Sequence, residues 1–419
     1  MKLSLFGQKF AGESGIVELM DDLGTALSEN PDLIFMGGGN PARIPALEDI
    51  FRDRLKAVLE DKEKCHALLG IYQAHQGEKA FLEEVAAFLN RRFGWDLTWR
   101  NITLSNGSQP AFFVLFNMFA GKMADGGQRT IHLPLIPEYL GYSDAGMTEK
   151  FFSATRPDIE HLDDRLFKYR VDFSGLELND SMGALCVSRP TNPTGNVLTD
   201  GEVEHLDDLA RKADIPLIID GAYGLPFPGI IFTDAKPVWN DNIVLMLSLS
   251  KLGLPGVRTG IIVAREDIVQ AFANATTIVN LSLGNLGPAL VRDMIASDEI
   301  LDLSQNHITP FYRERATIAV NWCREEMAGL PVHIHKPEGA IFLWLWFEGL
   351  PVTSQELYER LKQRGVLVIP GHNFFVGLEG DWPHKHECLR VSYAQDEKTI
   401  REGIRIIAEE VRRLYEERA

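Results

Sequence analysis

The stretch Ile243-Val-Leu-Met-Leu-Ser248-Leu-Ser250-Lys251-Leu-Gly-Leu-Pro255-Gly256-Val-Arg258-Thr259-Gly260 decides how this chain is read. Residues 243–248 form an apolar run of strand length with no charge in it, as a strand buried on both faces requires. A lysine follows at once, with two hydroxyls, a Gly/Pro loop and an arginine around it. Two readings of Lys251 are open. It is a surface lysine closing a strand, or a lysine at the mouth of a parallel sheet, where a depressed pKa lets it form a Schiff base. Ser248 and Arg258 beside it suit a phosphate, because a guanidinium makes bidentate charge-assisted bonds.

Outward from this stretch the chain alternates. Strand-like runs at 101–104, 130–133, 183–187, 216–220 and 259–264 are interleaved with helical segments, notably 109–119 and 201–213. Alternation of this kind predicts a mainly parallel sheet covered on both faces, with ligands at the carboxyl ends of its strands. Upstream, residues 1–45 read as an arm that ends in a short strand, 33–36, and the run Gly37-Gly38-Gly39-Asn40-Pro41. Amphipathic helices follow at 46–64 and 78–92. Downstream, 285–328 is helical, strand-like runs lie at 340–347, 366–369 and 389–393, and a charged helix spans 396–417. The expected division is 1–45 as arm and part of a small domain, 46–295 as a large α/β domain, and 296–419 as a smaller α+β domain.

Three further loops carry polar residues where a strand ends. Ile219-Asp220-Gly-Ala-Tyr223 follows an apolar run; Asp220 caps a helix or holds the protonated nitrogen of a pyridine ring, and Tyr223 reaches an oxygen of that ring. Ser188-Arg-Pro-Thr-Asn192-Pro-Thr-Gly195-Asn196 is a plain turn or a third arm of the same site. Ser105-Asn-Gly107-Ser108-Gln109 opens an apolar helix, as an ordinary cap or as an anion site built on free N–H groups. None of these is GxGxxG or GxxxxGK[ST], so a dinucleotide or P-loop site has no support.

Together these residues resemble the fold-type I pyridoxal-phosphate (PLP) aminotransferases of class I and II. Asn192 in NPTG, Asp220 in D-x-A-Y and Lys251 in S-x-S-K…PG-x-R-x-G match in identity, order and spacing. The resemblance covers nearly the whole chain. One departure is the seven positions from Lys251 to Arg258, where many relatives have eight. The implied fold is a large domain with a mainly parallel seven-stranded sheet between helices, plus the smaller α+β domain. The implied cofactor is pyridoxal 5'-phosphate, in Schiff-base linkage to Lys251, which also acts as general base and acid. Asp220 would keep the ring nitrogen protonated, and Asn192 and Tyr223 would bond the ring 3-oxygen. Ser108, Gln109, Ser248 and Arg258 would grip the phosphate, joined by Tyr72 of Y-x4-G from a partner subunit. Tyr139, the better placed of the two tyrosines in Pro137-Glu-Tyr139-Leu-Gly-Tyr142, would stack on the ring. Gly39 and Arg390, in R-V-S-Y-A, would lie at the substrate carboxylate. A shared site of this kind implies a homodimer.

The stretches MGGGNPA, SRPTNPTGNV, AYGLPFPGIIF, SLSKLGLPG, HKPEGAIFLWLWF and PGHNFF narrow the resemblance to members that exchange an amino group between L-valine and pyruvate. The implied products are 3-methyl-2-oxobutanoate (2-oxoisovalerate) and L-alanine. Other amino acids, β-elimination or decarboxylation on the same fold, and a non-catalytic PLP module are the alternatives.

Composition narrows the classes. Lys and Arg number 42 against 59 Asp and Glu, a net charge of −17, which argues against a nucleic-acid binder. No run of 18 apolar residues occurs, and the most apolar segment, 110–121, fits a buried helix, so no membrane association is expected. Four scattered cysteines without a CxxC pair, and no signal-peptide pattern, point to the cytoplasm. His333-x-His335, His372, His384-x-His386 and Cys388 invite a metal reading, but their spacing fits no structural zinc pattern, and no metal is expected.

Overall fold

Strand Ile243–Ser248 lies inside a sheet, every one of its residues buried. The computed structural model describes residues 2–12, 15–30, 32–163 and 165–418. The sheet runs in the order Ile102–Ser105, Gly260–Val263, Ile243–Ser248, Leu217–Asp220, Met182–Ser188, Gln128–Leu133 and Gly121–Lys122, and Phe152–Ala154 pairs with Gln128–Leu133 beside that path. The five strands from Ile243–Ser248 to Phe152–Ala154 pair in parallel, whereas Gly260–Val263 runs antiparallel to both neighbours. The three central strands are fully buried and rich in Leu, Ile and Val, as a sheet covered on both faces demands. Helix Ser108–Phe119 buries Ala111, Phe112, Leu115 and Phe116, and Asp200–Lys212 buries Val203, Leu206 and Ala210.

A second sheet has the order Ile369–Pro370, Cys388–Ser392, Phe342–Phe347, Val332–His335, Leu166–Arg170 and Asp158–His161. Its last two strands form an antiparallel hairpin from the middle of the chain, docked through Leu166 opposite Ile334. Near the start of the chain, Ile34–Phe35 pairs in parallel with Val366–Leu367. These pairings tie the N-terminal segment and the central hairpin to C-terminal elements.

Two helical stretches differ from the sequence expectation. Residues 46–64 are not one helix: Pro45–Glu60 ends at Asp61, whose extended backbone starts Lys62–Gly70 and whose carboxylate accepts from the N–H groups of Glu63 and Lys64. An aspartate that caps a new helix cannot also continue the old one. Residues 285–328 divide into Leu286–Ala296, Glu299–Leu303, a π turn Ser304–Ile308 and Thr309–Glu326, with left-handed Asp298 at the first break.

The sheet registers position the site. Ser188 lies opposite Asp220, and Asp220 opposite Met246, so two polar side chains meet at adjacent strand ends. Ser248 ends the next strand, and Lys251 follows within the turn Ser250–Leu252.

Candidate active site

A cavity of about 300 Å³ opens at these strand ends. Every residue expected at the cofactor or the substrate except Tyr72 lines it: Gly39, Ser108, Gln109, Tyr139, Asn192, Asp220, Tyr223, Ser248, Lys251, Arg258 and Arg390. Tyr72 lies outside it and is 83% exposed.

Lys251 donates from Nζ to the Gly39 carbonyl, and Nζ stands 5.1 Å from the centre of the Tyr223 ring. Burial, and secondarily the charge of Arg390, brings its pKa down to about 8. A neutral amine is therefore accessible near neutrality, which a nucleophilic or proton-moving lysine requires.

Asp220 is buried, and burial raises its pKa. Two donors counter that trend: Tyr142 Oη at 2.7 Å from Oδ2 and the Ala222 N–H at 2.9 Å from Oδ1. Neither donor carries charge, so the carboxylate has capacity for a cationic partner in the cavity.

At the opposite end, Gly107 precedes helix Ser108–Phe119 with φ of +103°. A methyl group there would lie 2.2 Å from an Arg258 guanidinium nitrogen. The guanidinium thus covers the start of the helix, where first-turn N–H groups are free. Among the described residues no carboxylate pairs with Arg258, and the buried Oε1 of Gln109 has no partner. Bare N–H groups and an arginine free of any carboxylate form a site with the chemistry of a phosphate receptor.

Arg390, on strand Cys388–Ser392, is buried between the rings of Phe342 and Phe374, at 4.2 and 5.1 Å. Nη1 donates to Asn192 Oδ1 at 2.8 Å and Nη2 to the Gly37 carbonyl at 2.6 Å, while Nε has no partner. Burial lowers its pKa to about 10, so it stays cationic at neutral pH. A buried guanidinium with a spare donor and no carboxylate suits a carboxylate ligand.

Sequence reasoning missed three residues at this cavity, two of them behind its lining. Tyr142, fully buried against Phe112 and Phe116, supplies the bond to Asp220, whereas Tyr139 faces the cavity. Ser188 lines the cavity and lies 3.5 Å from Tyr142 Oη. Glu138 is fully buried, its Oε1 accepting from the Ser188 N–H at 2.7 Å and its Oε2 lying 2.6 Å from Ser188 Oγ. The signal was present: a single carboxyl stands in the otherwise uncharged run Leu133-Pro-Leu-Ile-Pro-Glu138-Tyr-Leu-Gly-Tyr142.

Two of the histidines weighed as metal ligands are tied to the second sheet through Tyr169. His335 Nε2 accepts from the Tyr169 N–H at 3.2 Å, and His384 Nε2 lies 2.5 Å from Tyr169 Oη. Among the described residues no three His, Cys, Asp or Glu are placed to hold a metal ion, and no helix is long and apolar enough to cross a membrane.

The family model for aminotransferases of class I and II matches residues 48–407. The chain is 51% identical over 417 residues to the valine–pyruvate aminotransferase of Escherichia coli strain K12, covering 100% of both chains. A putative amino-acid aminotransferase from Psychrobacter arcticum superposes with a TM-score of 0.97 at 47% identity, covering 99% of each chain. The valine–pyruvate aminotransferase of Salmonella typhimurium LT2 superposes with a TM-score of 0.89 at 48% identity, covering 96% of this chain and 100% of the other. With a lysine, a buried aspartate and an anion cradle on one cavity, and this extent of likeness, the chain belongs to the class I and II aminotransferases.

Proposed function

We propose that the protein transfers the amino group of L-valine to pyruvate, giving 3-methyl-2-oxobutanoate and L-alanine. The observation that carries this reading is the set of charges on the cavity. Its only arginines among the described residues are Arg258, at the anion cradle, and Arg390, and the wall between includes Met20, Leu140 and Ile369. One arginine remains for a substrate carboxylate, and no second one awaits a side-chain carboxylate. A monocarboxylate with a small aliphatic side chain fits that arrangement. The full-length likeness to two valine–pyruvate aminotransferases supports the same substrates.

Pyridoxal 5'-phosphate is the cofactor of this family, and when bound it supplies an aldehyde carbon that condenses with amines and a ring that accepts the electron pair released at the substrate Cα. The Gly107–Arg258 cradle and the buried Asp220 support its place here. In this reading Ser108, Gln109, Ser248 and Arg258 would hold the phosphate. Asp220 would keep the ring nitrogen protonated. Tyr223 and the Asn192 amide nitrogen, left over from the bond to Arg390, would bond the ring oxygen. Tyr139 would stack on the ring. Arg390, beside Gly39, docks the carboxylates of valine and pyruvate in turn. Lys251 would move a proton between the substrate Cα and the carbon that was the cofactor's aldehyde, using the amine that burial leaves accessible near neutrality.

The partner in solution is a second copy of the chain. Exposed Leu69, Ile71 and Tyr72 lie beside exposed Ile278, Val279 and Leu281, the two segments being joined by a bond of 3.0 Å from Ser282 Oγ to the Gln73 carbonyl. The second segment also touches the anion loop through Gly284 N–H and Asn106 Oδ1, at 3.2 Å. Apolar surface of this kind next to a cavity supports a subunit contact that brings Tyr72 to the neighbouring site. Four unpaired cysteines support the cytoplasm as its compartment.

Supplying L-valine, pyruvate and the PLP-loaded protein, then resolving the products by chiral chromatography, tests the proposal. Equimolar L-alanine and 3-methyl-2-oxobutanoate are expected from the natural chain and none from Lys251→Ala. Unchanged valine alongside rapid turnover of another amino acid would refute the substrate assignment.

A further inference from the structure

Glu138 is buried next to a working carboxylate and has no cation to pair with. It is fully buried, and no Lys, Arg or His forms an ion pair with it among the described residues. Its backbone N–H donates to the Phe374 carbonyl at 2.9 Å, so the loop bearing Tyr139 and Tyr142 is stitched to the turn whose Phe374 ring packs on Arg390. Its side chain belongs to a row of oxygens: Glu138 Oε2 to Ser188 Oγ at 2.6 Å, Ser188 Oγ to Tyr142 Oη at 3.5 Å, and Tyr142 Oη to Asp220 Oδ2 at 2.7 Å.

We propose that Glu138 carries a proton in the native site and acts as a positioning residue, its row of hydroxyls through Ser188 and Tyr142 keeping Asp220 charged and aimed into the cavity. The inference rests on the reading of Asp220 as the partner of the cofactor's ring nitrogen.

The direction of the row follows from its ends. Glu138 Oε1 accepts from the Ser188 N–H, so the proton sits on Oε2 and is donated to Ser188 Oγ. Ser188 then donates to Tyr142, and Tyr142 to Asp220, each hydroxyl giving one proton and accepting one. The Tyr139 N–H, 3.2 Å from Oε2, is satisfied by the lone pair that remains. If Glu138 were ionised, Ser188 would turn its proton back to Glu138, and two negative charges would share one dry pocket. The titratable groups facing Glu138 are Asp220 and Tyr142, with Cys186 on the adjoining strand; none is a cation. Burial and the Asp220 charge push Glu138 up to about 8, consistent with a neutral side chain at pH 7.

Infrared spectra of the apoprotein test this without any cofactor. The natural chain should show the C=O stretch of a buried protonated carboxyl at neutral pH, fading as pH rises through about 8, and Glu138→Gln should lack it. In the loaded enzyme, Glu138→Leu should lower kcat/KM by about tenfold or more, and Glu138→Gln, which keeps a neutral donor, should recover most of that loss. Absence of the band from the natural chain, or a Glu138→Gln enzyme as impaired as Glu138→Leu, would overturn the proposal. If neither variant folds, the band and its titration in the natural chain decide. A protein that shows the band but never binds PLP would leave the proton on Glu138 and remove its purpose, refuting the functional reading instead.

Discussion

A methyl group on Gly107 would collide with the Arg258 guanidinium at 2.2 Å, and the backbone there already has φ of +103°. Both facts concern the anion end of the cavity. Gly107→Ala should therefore weaken PLP affinity by at least about tenfold, roughly 1.4 kcal/mol, while the apoprotein still folds. Fluorescence titration of the apoprotein checks it, and unchanged affinity would remove Arg258 from phosphate binding. At Lys251 the expected effect is on pH. The amine reacts only when neutral, and its folded pKa is about 8. The rate of cofactor capture should fall about tenfold per pH unit below that value and level off above it, as stopped-flow absorbance would show. A rate that keeps climbing about tenfold per unit well past pH 8, with no plateau, would mean that burial does not depress Lys251. Residues such as Asp220 and Lys251 were legible in sequence because each ends an apolar run that betrays its strand. Tyr142, Ser188 and Glu138 were not, because their task comes from contacts made across intervals of 46, 50 and 78 residues.

Among elements, the hairpin Asp158–His161 and Leu166–Arg170 joins the second sheet to the Asn192 loop. Lys168, fully buried, pairs with Glu338 and donates to the Val197 carbonyl at 3.0 Å. Asn196 donates to the Tyr169 carbonyl at 3.0 Å, and the Glu338 N–H bonds the Gly195 carbonyl at 3.1 Å. Burial raises the Glu338 pKa, but Lys168 and Lys336 outweigh it and hold the carboxyl below its usual range. Removing one partner strands the other without water. Glu338→Ala should cost about 3–5 kcal/mol of stability, read from denaturant unfolding, and loss of under about 1 kcal/mol would mean that Lys168 finds another partner. This hairpin escaped the sequence reading for a physical reason. Its strands are short, the outer one is largely exposed, and Leu166 pairs with Ile334, 168 positions away. The long helix expected over 46–64 failed on a local signal instead: Asp61 followed by Lys-Glu-Lys is a capping sequence inside an amphipathic run.

For the whole molecule we propose two domains divided near residues 45 and 295, with the hairpin 158–170 belonging to the second sheet although it lies within the first domain's span. The sheet that bears the site was readable from alternation alone, since buried parallel strands announce themselves as uncharged runs. The proposed subunit contact was not, because exposed apolar residues in sequence are indistinguishable from core. Light scattering should report twice the chain mass, with Ile278→Asp shifting it toward one copy and lowering PLP affinity as Tyr72 is withdrawn. A natural chain that runs as a monomer with full PLP affinity would exclude the shared site.

Transfer of an amino group from valine to pyruvate, through a cofactor held by Lys251, divides into two half-reactions that can be run separately. The most direct measurement is the visible spectrum of the loaded protein during single half-reactions. Addition of L-valine alone should bleach the cofactor's visible band in one turnover, and pyruvate alone should then restore it. A PLP-loaded protein whose spectrum ignores valine, or whose bleached form pyruvate fails to restore, would contradict the account.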